Sequence, residues 1–159
     1  MAISIDRHVS RDTALWSQLA AVYARINGPV ERVLQRRFGI GIAELHALIA
    51  LADAPDGELR LLELTDVTML NQSSVSRMVV RMERAGLAER RLCERDRRGV
   101  YTGITDHGAD LLRDAVPVYE GCVRECLDQL AMDPKFRSLV HRLRRAEPQV
   151  PATWNSHRE

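Results

Sequence analysis

NQSSVSRMVVRMERAG, residues 71–86, has two faces when wound into a helix. Val75, Met78, Val79 and Met82 recur at helical spacing and form one apolar stripe, the side such a helix turns to a core. Asn71 is placed as an N-cap and Gly86 as a left-handed terminator. The opposite face carries Ser73, Ser76, Arg77, Val80 and Arg84, flanked by Gln72, Ser74 and Arg81. A helix with donors and guanidinium groups along its outer side needs a polar partner or bulk water.

The flanking residues decide between the two. Upstream, Glu58-Leu59-Arg60 reads as a short extended piece leading to a brief helix near Leu62–Thr68. Downstream, LAERRL (87–92) and VYTGIT (100–105) read as short strands joined by CERDRRG (93–99). Short helix, tight connection, second helix and basic two-stranded ribbon make a winged helix-turn-helix. A helix about 10–12 Å across fits the major groove of B-DNA. There Gln72, Ser73, Ser74, Ser76, Arg77 and Arg81 can reach base edges and phosphates, arginine to guanine being the commonest specific contact. A ribbon tip with Arg95, Arg97 and Arg98 is narrow enough to put an arginine into the minor groove, while Asp96 holds the tip by pairing with Arg77 or Arg98.

Charge is distributed to match. Residues 77–98 hold eight arginines against four acids, a local +4 on a chain whose total is +1. One basic surface on an otherwise slightly acidic body suits contact with a polyanion. The excess of arginine over lysine carries little weight, because coding-sequence composition alone can produce it.

Outside the central segment the chain reads as helices. Leu15, Leu19, Val22, Ile26, Val30 and Val33 mark an amphipathic helix between Asp12 and Leu34, with a kink or break expected at Asn27-Gly28-Pro29. Gly39 and Gly41 end it, and residues 42–53 form a second helix stopped by Pro55-Asp56-Gly57. Thr105 can cap a long helix from Asp106 to about Leu130, with a bend at Pro117. Its second half is apolar nearly all round and needs cover on more than one side. A last helix begins at Asp133-Pro134, and a polar tail, 147–159, follows.

The run from Leu61 to Gly108 resembles the MarR family of bacterial transcription regulators. The likeness lies in the third and fourth helices, the wing's Asp96 and Arg98, and Ile104-Thr105-Asp106-His107-Gly108 at the opening of the fifth helix. It extends, in helix order and length, over roughly residues 12–145. It implies a mainly α fold with a two- to three-stranded β-wing: one domain, 1–159, with dimerisation helices in 12–40 and 106–146 and a winged helix-turn-helix in 42–105. It also implies a homodimer of intertwined first, fifth and sixth helices on a pseudo-palindromic operator. In such a protein the helix from Gln72 to Arg81 reads the major groove and the wing arginine the minor groove. Small aromatic or anionic effectors sit between the dimerisation and DNA-binding parts, and Trp16 and His46 are the candidates for that pocket. Plain packing is the competing reading for both. Leu62 stands where the family's third helix carries a capping Ser or Thr.

The remaining classes fall away. No signal-peptide pattern or run of about 18 apolar residues stands out, so the expected location is the cytoplasm. Cys93, Cys122 and Cys126 fit neither a disulfide framework nor a metal site, and a redox role for Cys93 is the weaker reading. The chain has no nucleophile–base pair, carboxylate pair or phosphate-binding glycine loop, so it is not expected to be an enzyme or to need a cofactor. A winged helix can instead dock proteins. That alternative calls for an exposed apolar patch in place of the Arg-Ser face, and for binding insensitive to salt.

Overall fold

The computed structural model describes residues 9–92 and 100–146. Among these residues there are six helices and one small three-stranded antiparallel sheet. The first helix, α1, spans Arg11–Phe38; Ser10 Oγ caps it by accepting from the Thr13 amide at 3.2 Å. Gly39, at φ 70°, ends it in the left-handed region. The expected interruption at Asn27-Gly28-Pro29 does not break this helix. Pro29 removes one amide donor and crowds the turn before it, at a cost of about 3 kcal/mol. Burial on both sides holds the helix across that point. Val22 packs with Leu130, Phe136 and Val140, while Val30 and Leu34 enter the main core. Arg25, whose carbonyl Pro29 leaves without its usual donor, ties its side chain to Asp133 at 3.1 Å and stacks 4.7 Å over Phe136.

Helix α2, Ile42–Asp53, follows at once, and Gly57 at φ 66° turns the chain into strand β1, Glu58–Arg60. Helix α3 spans Leu61–Thr68. No hydroxyl caps it: Arg60 is the N-cap, its amide donating to the Glu63 carboxylate at 2.7 Å, and Leu62, expected at a capping position, lies inside the helix. The helix-turn-helix turn passes through Met69, a non-glycine residue at φ 56°, and Asn71 then caps helix α4, Gln72–Arg84, by accepting from the Ser74 amide at 2.9 Å. Val75, Met78, Val79 and Met82 are buried, as their spacing predicts.

Strands β2, Ala88–Leu92, and β3, Val100–Ile104, pair antiparallel, and β1 adds to the far edge of β3, giving the order β1-β3-β2. Thr102 is flanked by Leu59 and Arg90. Helix α5, Asp106–Met132, runs continuously through Pro117. Its cap, Thr105, accepts from the Gly108 amide at 3.0 Å and donates to the Gly86 carbonyl at 2.6 Å, which fastens the start of α5 to the end of α4. The last helix, α6, covers Arg137–Arg145. It begins later than Asp133-Pro134 suggests, because Asp133 caps a turn (its carboxylate accepts from the Lys135 amide at 3.0 Å) before the helix starts. The main core lies between α1, α2, α4 and α5; a smaller one forms where α1, α5 and α6 meet. Among the described residues no helix is long and apolar enough to cross a membrane.

Candidate nucleic-acid interface

Four buried side chains anchor α4, so its opposite face is fixed toward solvent. Gln72, Ser73, Arg77, Arg81 and Arg84 are exposed; Ser74, Ser76 and Val80 are half-buried. Ser76, Arg77, Val80, Arg81 and Arg84 line one open groove of about 410 Å³ along this face. The amides of Gln72 and Ser73 precede the first intrahelical hydrogen bond and lie at the positive end of the helix, a setting that favours a phosphate.

Several arginines of this surface are tied up in ion pairs, two of them with acids outside the counted segment, Glu44 and Glu58. Arg81 pairs with Glu44 at 2.5 Å and Arg90 with Glu83 at 3.0 Å. Arg91 lies across Gly103, held by Glu89 at 2.9 Å, Glu58 at 4.0 Å and the Ile104 carbonyl at 3.3 Å. Arg77 makes only a long contact, 3.5 Å, to Ser74 Oγ. Among the described residues, Arg77 and Arg84 are the arginines of this segment without a carboxylate partner. Arg84 completes the basic stripe that begins at Arg77 and was absent from the sequence-based set of DNA contacts. The signal was present: positions 77, 81 and 84 fall on one helical face.

Strands β2 and β3 are paired as far as Leu92 and Val100. Cys93, Arg95, Asp96, Arg97 and Arg98, and the tail from residue 147, lie outside the described residues. The predicted pairing of Asp96 with Arg77 or Arg98 lies outside the described residues as well.

The two effector-pocket candidates stand in different settings. His46 is half-buried on α2 against α5, with Nε2 3.3 Å from the Tyr119 hydroxyl and the rings edge to face at 5.9 Å. Burial holds the His46 pKa below its usual value and, with Glu120 nearby, raises that of Tyr119. Trp16 is 70% exposed near the start of α1. Val30, the first α1 residue in the main core, lies fourteen residues on, about 21 Å along the helix. Cys122 is half-buried and Cys126 buried, and burial raises the Cys126 pKa, the reverse of what a reactive thiol needs. No cluster of three metal-ligating side chains occurs among the described residues.

Comparison with known proteins converges on one family. Residues 38–99 match the model of the MarR family. The chain is 26% identical over 115 residues to the transcriptional repressor MprA of Escherichia coli K12, over 69% of this chain and 65% of that protein. Among solved structures it resembles Sco3205 of Streptomyces coelicolor, a MarR family transcriptional regulator in complex with DNA. There the TM-score is 0.71 and the identity 26%, over 89% of each chain. AbsC, a MarR family transcriptional regulator from the same organism, gives a TM-score of 0.70 and 26% identity over 87% of this chain and 93% of the other.

Proposed function

We propose that this member of the MarR family is a sequence-specific DNA-binding transcription regulator, acting as a homodimeric repressor on a pseudo-palindromic operator. The observation that carries the reading is the outer face of α4, where Gln72, Ser73, Ser76 and Arg77 stand exposed or half-exposed on a helix whose other side is locked into the core. Arg77 has its charge available and Ser76 lines the same groove, so these two are the base-reading pair, with Ser74 and Arg81 beside them. In the wing, Arg98 enters the minor groove, Asp96 steadies the tip, and Arg95 and Arg97 lie along the phosphates. Similarity to a repressor and to a DNA-bound regulator supports the same direction.

Two recognition helices must stand about 34 Å apart to meet successive major grooves. A small aromatic or anionic effector that favours another spacing releases the DNA; a hundredfold loss of affinity needs about 2.7 kcal/mol of coupling. Trp16 and His46 remain the proposed contacts, and a site using both draws Trp16 from the second copy.

The test uses duplexes selected from a random-sequence library on the wild-type protein. Arg77→Ala should lower affinity by about 1–3 kcal/mol and relax base preference, the loss of one good bidentate contact. Arg98→Ala should leave base preference intact and reduce the slope of log affinity against log salt by about one. If the protein selects no duplex, or if both variants bind as the wild type does, the reading fails. Salt-insensitive binding would favour protein docking instead.

A further inference from the structure

Helix α2 starts where three other parts of the chain meet. Carboxylates, in place of a hydroxyl, occupy its first amides: Gly41 N–H donates to Glu44 Oε2 at 3.1 Å, and Ile42 N–H to Glu31 Oε2 at 2.9 Å. The other Glu44 oxygen, Oε1, accepts from Arg81 at 2.5 Å. Glu31 belongs to α1, Glu44 to α2 and Arg81 to α4, so polar contacts run from α1 through the start of α2 to the recognition face.

Gly41 leaves room for this arrangement. A Cβ there would stand 2.5 Å from Glu31 Oε1 and 2.9 Å from Glu44 Oε2. Its backbone, φ −97° and ψ 178°, suits any residue, so space alone calls for glycine. The Glu44 side chain is 12% exposed and that of Arg81 60%, so a fixed acceptor holds a long, otherwise mobile donor. Hydrogen bonding of each carboxylate to a helix N-terminal amide offsets the closeness of the two acids.

We propose that Glu31 and Glu44 are positioning residues for the recognition helix: through Arg81 they set the pose of α4 relative to α1. The inference rests on the DNA-binding function above. It assigns Arg81 to alignment ahead of direct contact, and it makes a prediction whose sign is opposite to simple electrostatics. A carboxylate beside a DNA-reading face repels phosphates, so its removal should strengthen binding to every duplex, the more so because it frees a cation. If Glu44 aligns α4, its removal should weaken binding to the selected duplex while random duplex is bound as well as before or better.

The measurement is the affinity for a library-selected duplex and for a random duplex of equal length, together with melting temperature. Glu44→Gln has one carbonyl oxygen for two donors, so it should lower the specific-to-random ratio about fivefold, the scale of one partly exposed ion pair. Gly41→Ala keeps all three charged groups but displaces the carboxylates, and should lower the ratio similarly. Arg81→Gln should lower it alone but add nothing in the Glu44→Gln background, because the two act as a unit. A folded Glu44→Gln protein whose affinity for both duplexes rises together overturns the proposal. So does a ratio unchanged in both Glu44→Gln and Gly41→Ala, or a fully additive double variant. A defect of folding alone would lower both affinities and leave the ratio unchanged, which also counts against it. A wild-type protein that selects no duplex removes the function and this inference with it.

Discussion

His46 shows how one side chain can be polar in a mostly apolar setting. Half-buried and hydrogen-bonded to the Tyr119 hydroxyl, it keeps a pKa below the unfolded value of 6.5. As pH falls through 6.5 the unfolded chain takes up the proton first, so the stabilising contribution is complete above that pH and drains away toward the lower folded pKa. Melting temperature should therefore drop between about pH 7.5 and about pH 5, and more steeply in the wild type than in His46→Gln. Equal slopes would show that His46 protonates freely in the fold. At this scale, the caps were readable in the sequence. Asn71, Thr105 and Gly86 act on backbone within three residues, and local chemistry is written locally. The partners of Arg81 and Arg91 were not. Glu44 lies 37 residues before Arg81, and of the partners of Arg91 the Glu58 carboxylate and the Ile104 carbonyl come within reach only once the sheet forms, Glu89 being a near neighbour in sequence. Counting charges along the segment therefore overstated the free charge of the recognition surface.

Among the elements, α4, the base of the wing and α5 approach closely at Gly108. Gly108 is buried where α5 starts, and a Cβ there would fall 2.1 Å from the Leu87 carbonyl oxygen and 3.1 Å from Ile104 Cγ1. The first of these is backbone, so Gly108→Ala cannot be relieved by a side-chain rotation. It should destabilise the protein by about 1–3 kcal/mol and push α5 away from the base of the wing. Chemical denaturation reads the first effect; a midpoint unchanged from wild type would mean the contact is looser than the geometry shows. Helix periodicity placed most elements within a residue or two, and the Thr105 cap located the junction without revealing how closely its backbones approach. The continuity of α1 through Pro29 was hidden for a different reason. A proline's cost is local and visible, whereas the burial of Val22 depends on α5 and α6, more than a hundred residues on, and that of Val30 and Leu34 on a core shared by α2, α4 and α5. Met69 was equally opaque, since a methionine gives no local signal for the left-handed C-cap conformation it adopts at the end of α3.

The whole molecule is uneven in how well it covers its apolar surface. From residue 9 to residue 23, α1 and its lead-in leave Val9, Leu15, Trp16, Leu19 and Tyr23 exposed, while Leu143 on α6 and Met132 at the end of α5 are also bare. Such a surface suits the proposed second copy as its cover. A second copy covering it would bury roughly 2,000 Å² or more, the obligate class of interface. Trp16→Glu with Leu19→Glu should shift the sedimenting species from dimer to monomer and abolish high-affinity DNA binding without touching α4. A double variant that still sediments as a dimer would place the interface elsewhere. The bare end of α1 also bears on dosage. Where protomers outnumber dimers, the supply of binding-competent protein grows with the square of total concentration. Under the proposed function, DNA occupancy should then rise with at most the second power of expression level, and an interface of the obligate class confines that regime to very dilute protein.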